Sequence, residues 1–225
     1  MITSLLIVCL LGYLIGSIPF GFLIGKMRGV DLRTAGSGNI GATNAVRVLG
    51  KKWGYLVFAG DFGKGAIAAL SGGWIGATVG PPQFITGFGL AASVFCILGH
   101  NFPVWLGFKG GKGIATSAGI MLGFFPIGVF LAGIASWVIF FFMTRYVSVA
   151  SIIAALSLPV STAVYFYFGR ADGWMLGTAI LMAALAIWRH RGNIARLMSG
   201  TESRFQGKKK PEDSSREAAK ARKGE

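Results

Sequence analysis

The sequence predicts an all-α integral membrane protein with seven transmembrane helices, from its composition, its uncharged first segment and the placement of its basic residues. Hydrophobic residues make up 53% of the chain, charged residues 13%, and 35 of the 225 residues are glycine, which is too apolar for an ordinary soluble domain. Residues 4–25 carry no charge, and as a helix at ~1.5 Å per residue they would cross a ~30 Å hydrocarbon core. Basic residues follow this run instead of preceding it, so we expect it to be retained as a first helix.

Five further apolar stretches follow the first one. The middle stretch, residues 114–144, would be ~46 Å long as a single helix, and Pro126 lies near its centre. It is therefore predicted to form two short spans, which brings the total to seven. The stretches after the first are 53–79, 84–108, 114–144, 147–169 and 173–188.

The placement of Lys and Arg predicts the orientation, because basic residues near membrane ends favour the cytoplasmic side. With seven spans, the N-terminus outside and the C-terminus in the cytoplasm, Arg170 is the one basic residue in the predicted outer loops. Six spans would lose this agreement, because the later basic segments would change sides. The cytoplasmic segments then hold Lys26, Arg28, Arg33, Arg47, Lys51, Lys52, Lys109, Lys112, Arg145 and the basic end from Arg189 onward.

The chain is predicted to form one polytopic transmembrane domain over residues 1–206, followed by a charged, disordered cytoplasmic tail over residues 207–225. Its net charge of +14 flanks membrane spans, so we expect membrane lipid and no nucleic acid as a partner. Cys9 and Cys96 lie inside apolar runs without metal-ligand spacing. Asp61 and Lys64 share one face of the second span, where they are predicted either to form an ion pair or to contact substrate.

A glycine-rich loop between the first two spans has the composition of an anion cradle. Its glycines permit backbone N–H groups to converge, and its hydroxyl and amide side chains add donors around a phosphate. Arg47 would close the cradle with a fork of donors, and a flexible connector is the alternative. The G-x-G-x-x-G spacing does not indicate a dinucleotide site, because it follows a membrane helix and not a strand. The candidate ligands are Ser37, Gly38, Asn39, Gly41, Thr43 and Asn44.

Two later segments carry similar chemistry at the same predicted membrane face. Residues 99–113 place Lys109 and Lys112 among glycines, with ordinary membrane anchors as the alternative; the segment does not match the P-loop pattern. Residues 189–197 would place His190 and Asn193 on one face if the last helix continues, with a lipid-binding basic helix as the alternative. Ser148 supplies one more polar group on this side.

Three segments of the chain are SGNIGATN with its following Arg, GHNFPVWLGFKGGKG, and RHRGNIARL with the later Gly and Glu. Together they resemble the motifs of the bacterial membrane-bound acyl-phosphate:glycerol-3-phosphate acyltransferases. This resemblance implies a seven-helix enzyme of the cell inner membrane that transfers an acyl group from acyl phosphate to glycerol 3-phosphate. The products would be lysophosphatidic acid and phosphate, in the first step of phospholipid synthesis. No metal or other cofactor is implied, and functional coupling to the enzyme that makes acyl phosphate is expected.

The resemblance also distributes the two substrates over the candidate residues. The residues expected to bind acyl phosphate are Ser37, Gly38, Asn39, Gly41, Thr43, Asn44 and Lys112. The residues expected to bind glycerol 3-phosphate are Arg47, Lys109, Ser148, His190 and Asn193, of which His190, Lys109 and Asn193 are expected to be catalytic.

The residues leave open which group takes the proton of the attacking hydroxyl. Asp31 and Glu202 are the cytoplasmic carboxylates before the tail, and arginines near Glu202 favour a structural ion pair. The two candidates are His190 and a substrate phosphate with a second pKa of ~6, and we favour the phosphate. A covalent acyl-enzyme is not expected, because these loops contain no Cys. An organophosphate transporter would be expected to place its polar groups near the membrane midplane.

Overall fold

The computed structural model describes residues 1–205, with Gln83 described by its backbone alone, so the tail predicted over residues 207–225 lies outside the described part. These residues form ten α-helices and a short 3₁₀ turn at Val104–Leu106, and they contain no strand, which confirms the all-α class. The helices are α1 Ile2–Ser17, α2 Phe20–Met27, α3 Ala42–Leu49, α4 Lys51–Val79, α5 Gln83–Asn101, α6 Ile114–Phe124, α7 Ile127–Thr144, α8 Val147–Tyr167, α9 Gly173–Arg189 and α10 Arg191–Met198.

Proline explains two of the helix boundaries. The first apolar run is two helices, not one: α1 ends at Ser17 and α2 begins at Phe20, because Pro19 has no N–H to donate and restricts the residue before it. The division of the middle run is confirmed, since α6 ends at Phe124 and α7 begins after Pro126. The sequence did not predict α3, which forms where a loop was expected.

Four described segments are long and apolar enough to cross a membrane, namely Ile2–Met27, Phe84–Leu106, Ile127–Thr144 and Val147–Tyr167. Two apolar helices are shorter: α6 would be about 16 Å long and α9 about 26 Å, against a hydrocarbon thickness of ~30 Å. These lengths support a multi-pass membrane protein. The seven-span count remains a prediction.

Glycine allows the helix backbones to approach one another directly. Gly16 of α1 lies against the main chain of Cys96 in α5, and a Cβ at Gly16 would overlap the Cys96 carbonyl. Gly65 of α4 meets the main chain of Thr116 in α6 in the same way. In lipid, helices associate through close packing because apolar burial supplies no driving force between them, so small residues at these crossings stabilise the bundle.

The ionisable residues inside α4 form the predicted ion pair. Lys64 Nζ lies 2.9 Å from Asp61 Oδ1, and both residues are 3% exposed. Lys64 Nζ also donates to the carbonyl of Ile18, 2.8 Å away, at the break between α1 and α2. His100 Nδ1 lies 3.4 Å from Asp61 Oδ1. The pair therefore satisfies a carbonyl that the broken helix leaves without a helical partner, in addition to neutralising its own charges.

Candidate functional site

The three glycine-rich or basic motifs converge on one polar cavity of 210 Å³, which lies where α3, α6 and α8 begin and α9 ends. The structure brings most of the predicted residues to its wall, but Gly38 and Lys109 do not line it. The predicted residues that line the cavity are Ser37, Asn39, Gly41, Thr43, Asn44, Arg47, Lys112, Ser148, His190 and Asn193.

Asn44 shapes the glycine-rich loop from within. Its amide nitrogen donates to the carbonyls of Leu32, Ala35 and Asn39 at 3.2, 2.9 and 2.8 Å. Its Oδ1 accepts from the backbone N–H of Ser37 at 2.8 Å. The side chain is 2% exposed, and its donors are fully used by the loop. Asn44 therefore holds the loop that presents the other groups, and its binding of acyl phosphate stays a prediction.

The donors left open to the cavity are centred on the start of α3. Asn39 Oδ1 accepts from the Gly41 N–H at 2.8 Å, so that amide is already engaged. Helix α3 begins at Ala42 with no side-chain cap, and Gly41, Ala42 and Thr43 all line the cavity. Uncapped first-turn amides and the positive end of a helix dipole attract an anion. The donors available to a phosphate are thus the first amides of α3 and the hydroxyl side chains of the loop, and not a ring of backbone amides within the loop.

A hydrogen-bonded chain of side chains crosses the opposite wall of the cavity. Lys112 Nζ donates to Asn193 Oδ1, and Asn193 Nδ2 donates to Glu202 Oε1 at 2.6 Å. Glu202 Oε2 in turn accepts from Arg196 Nε at 2.8 Å. Burial lowers the pKa of Lys112 to about 8, even though the Glu202 carboxylate acts in the opposite direction. Lys112 is thus a cation that is held in place and stripped of much of its water.

His190 presents one defined face to the cavity. Its Nδ1 lies 2.7 Å from the carbonyl of Ala186, and because a carbonyl only accepts, Nδ1 must carry the hydrogen. Burial, followed by the nearby Lys112 ammonium, lowers the pKa of His190 to about 4. The imidazole is therefore neutral near pH 7, with its Nε2 lone pair available to accept a hydrogen bond. The last helix does not run on through this residue, because α9 ends at Arg189 and α10 begins at Arg191.

Arg189 clamps the backbone that carries Lys112. Its guanidinium donates to the carbonyls of Gly111 and Gly110 at 2.9 and 2.7 Å. The amides of the same two glycines donate to the carbonyls of His100 and Asn101 at the end of α5, each at 3.1 Å. A Cβ on Gly111 would overlap the His100 ring, so glycine is required by the close approach. Lys109 is exposed and does not line the cavity, and its expected catalytic role stays a prediction.

Asp31 and Glu202, the carboxylates predicted to lie on the cytoplasmic side before the tail, are both engaged in ion pairs. Asp31 Oδ2 lies 2.7 Å from Arg33 Nη2, and hydrogen bonds from Arg33 lower the pKa of Asp31 to about 2. Although burial acts to raise it, the pKa of Glu202 is lowered by hydrogen bonds that include one from Asn193. Neither carboxylate is therefore suited to take a proton near neutral pH.

An apolar cavity of 540 Å³ adjoins the polar one. Its deeper wall comes from Met121, Phe130, Leu158 and Met182, which lie on four different helices. The residues that line both cavities are Ala42, Thr43, Phe58, Ile114, Ala115, Trp137, Val147 and Phe205. The polar and apolar spaces are thus continuous around a shared set of residues.

Sequence reasoning missed several groups in the cavity wall. Asp61, which was predicted to form an ion pair or to contact substrate, lines the cavity, and so does His100, which was not among the candidate residues. Trp137 lines it from the middle of an apolar helix, where nothing in the local pattern distinguishes it from core. Phe205 offered one signal, since it is an isolated aromatic residue in an otherwise polar segment.

A polar cavity with Lys and Arg side chains, joined to an apolar cavity within a helical membrane bundle, is the arrangement expected of a membrane enzyme with a phosphorylated, acyl-chain substrate. The family described as Glycerol-3-phosphate acyltransferase matches residues 6–200. The chain belongs to that family and is an acyltransferase.

Individual relatives agree with this assignment. A glycerol-3-phosphate acyltransferase of Aquifex aeolicus is 46% identical over 203 residues, which cover 89% of this chain and 98% of the relative. The crystal structure of PlsY (YgiH), an integral membrane glycerol 3-phosphate acyltransferase, in its glycerol 3-phosphate form is 43% identical, with a TM-score of 0.79 over 90% of this chain and 96% of that one. Its lysophosphatidic acid form gives a TM-score of 0.76, with 44% identity and the same coverage.

Replacing Arg189 by Gln should lower kcat/KM by on the order of 10²-fold, because the Lys112 loop loses both clamping bonds and a displacement of about 1 Å in a positioned group has that effect. The basic limb of the kcat/KM profile should start near pH 8 in the wild type, where free Lys112 loses its proton. In the variant, the limb should move to higher pH, since Arg189 is one of the charges that lower the Lys112 pKa.

Arg191→Gln is the matched control for this variant. Arg191 lies two residues away and stacks on Trp188 at 4.5 Å, but it does not line the cavity. An equal loss of activity in both variants would show that the arginines act through anionic lipid and not through the loop.

Proposed function

We propose that this protein transfers an acyl group from acyl phosphate to glycerol 3-phosphate, giving lysophosphatidic acid and inorganic phosphate. The observation that carries the proposal is the shared wall of the two cavities, which lets the phosphate and the chain of one donor bind at the same time. The related structures with glycerol 3-phosphate and with lysophosphatidic acid correspond to the acceptor and the product of this reaction.

The reaction requires a charged leaving group to be stabilised beside the reacting carbonyl. The acceptor hydroxyl oxygen forms a bond to the acyl carbon, the bond from that carbon to the phosphate oxygen breaks, and the hydroxyl proton passes to a phosphate. Lys112 and the α3 terminus would neutralise the leaving phosphate. Ser148 lines the cavity with a buried Oγ close to the Glu202 carboxylate, and this hydroxyl would donate to a substrate oxygen. We assign the acceptor phosphate to Arg47, Ser148 and Asn193, and the acceptor hydroxyl to His190.

Acyl phosphate should support product formation, whereas acyl-CoA should not, because the cavity offers groups for a phosphate and none of the motifs indicates a site for an adenine nucleotide. The measurement is lysophosphatidic acid formed by purified protein in detergent, with each donor supplied alone. Lys112→Met is the inactive control, with an expected loss of at least ~10²-fold. Product from acyl-CoA at a comparable rate would contradict the proposed donor, and a loss of activity in EDTA that Mg²⁺ restores would reveal a metal requirement.

We propose that a substrate phosphate accepts the proton and that His190 orients the acceptor. His190 Nε2 can accept a hydrogen bond from the glycerol hydroxyl, but with a pKa of about 4 the ring is a weaker base than a phosphate with a second pKa of ~6. An acid limb near pH 6 in kcat/KM would therefore belong to the free substrate and not to the free enzyme.

Replacing His190 by Gln separates the two proton acceptors. If the imidazole only orients glycerol 3-phosphate, KM for that substrate should rise more than kcat falls, and the limb near pH 6 should persist. If the imidazole is the base, kcat should fall by ~10²–10⁴-fold with KM unchanged, and an acid limb near pH 4, the pKa of the ring, should vanish. The measurement is the pH profile of both kinetic constants for the variant and the wild type.

The chain is further proposed to cross the bacterial inner membrane seven times, with its N-terminus outside and its polar cavity on the cytoplasmic side, where an enzyme that makes acyl phosphate would supply the donor. Fused reporters test this arrangement. Opposite sides for Lys112 and Arg196 would contradict it, because both segments must reach one cavity. Reporters should be cytoplasmic after Gly50, Lys112, Arg145 and Arg196 and external after Pro82, Pro126 and Asp172.

A further inference from the structure

The segment after α10 turns back across the mouth of the polar cavity. This strap, residues 199–205, starts with the N–H groups of Thr201 and Glu202 donating to the carbonyl of Arg196 at 2.8 and 3.1 Å. It ends with the N–H of Phe205 donating to the carbonyl of Arg145 at 2.8 Å, in the turn between α7 and α8. The strap therefore links α10 to the opposite side of the cavity. Residues 201–205 lie beyond the segment that the family match covers.

Side-chain contacts fix the far end of the strap. Arg204 Nε donates to the hydroxyl of Tyr146 at 3.0 Å, and its guanidinium lies 5.1 Å from the centre of that ring. The ring of Phe205 meets the ring of Phe141 edge to face, with centroids 5.6 Å apart. An edge-to-face aromatic contact and a stacked guanidinium each favour one orientation of the partners, so Phe205 is directed inward.

The ring of Phe205 lies at the junction of the two cavities. Glu202 and Ser203 of the strap line the polar cavity, and Phe205 is the strap residue that lines the apolar one as well. An acyl phosphate with its phosphate in the polar cavity and its chain in the apolar cavity must place its carbonyl between them. That position is where Phe205 and Trp137 form the wall.

We propose that Phe205 is a substrate-contacting residue that covers the acyl carbonyl and excludes water, so that the donor is transferred to glycerol 3-phosphate and not hydrolysed. This inference rests on the proposed function. In the competing reaction, a water oxygen bonds to the acyl carbon, the bond from that carbon to the phosphate oxygen breaks, and a fatty acid and phosphate form while the water proton passes to solvent. An apolar ring over the carbonyl hinders that attack without blocking an acceptor held in the polar cavity.

The experiment measures how the donor is partitioned. Purified protein in detergent is given labelled palmitoyl phosphate with and without glycerol 3-phosphate, and lysophosphatidic acid and palmitate are both quantified. Phe205→Ala should raise the ratio of hydrolysis to transfer by on the order of tenfold, since the carbonyl becomes open to water. Phe205→Leu should keep the ratio of hydrolysis to transfer close to that of the wild type, because leucine still covers the carbonyl with an apolar side chain.

Phe142→Ala is the matched control, since Phe142 also packs edge to face on Phe141, at 5.5 Å, but lines neither cavity. Its partition ratio should not change. Arg204→Gln gives a second route to the same result, because it loosens the strap and leaves the ring intact, and it should raise the ratio by a smaller factor.

The outcomes separate the possible failures. Slower transfer by Phe205→Ala with an unchanged ratio would overturn the inference and leave Phe205 a structural residue. An equal rise in Phe142→Ala would also overturn it, because general loosening around Phe141 would then be the cause. A wild-type protein that makes no lysophosphatidic acid from palmitoyl phosphate would instead refute the proposed function on which the inference rests.

Discussion

The polar cavity depends on the two-sided clamp of the Gly110–Gly111 backbone. One side is the end of α5, whose carbonyls accept the glycine amides, and the other is Arg189 at the end of α9. Without this clamp, Lys112 would be a flexible cation on a loop, as its sequence context alone suggests. With it, the ammonium is fixed against Asn193 on α10, and the second and third motifs become one surface. Charge-assisted bonds suit this purpose, because they are stronger and more directional than neutral ones.

The protein keeps its buried charges by pairing each with a partner of opposite sign or with a dipole. Asp61 and Lys64 neutralise each other within α4, and Lys64 also donates to the Ile18 carbonyl at the break between α1 and α2. Near the cavity, Lys112, Asn193 and Glu202 alternate donors and acceptors, so that the lysine stays ordered but partly desolvated. A phosphate entering the cavity would meet a cation that has little water left to lose, which strengthens the attraction.

The sequence was most informative where a local rule applied. Uncharged runs of spanning length and Pro126 predicted the helical class and the division of α6 from α7, and ten of the candidate residues line the polar cavity. It was least informative about the direction of single side chains. Lys109 and Lys112 lie three residues apart in one glycine-rich motif, yet Lys112 lines the cavity and Lys109 does not. In the first motif, the Asn44 amide uses its donors within its own loop.

The sequence by itself determined that the chain is a helical membrane protein with glycine-rich or basic motifs in three separated segments, because composition and periodicity act locally. Only the tertiary structure decided which of those groups share a cavity, that Asn44 supports its loop, and that Phe205 reaches the junction with the apolar space. These outcomes depend on contacts between residues far apart in the chain, such as Arg189 with Gly110 and Phe205 with Phe141. Such contacts are set by helix packing, and they cannot be predicted from the pattern of residues within one segment of the sequence.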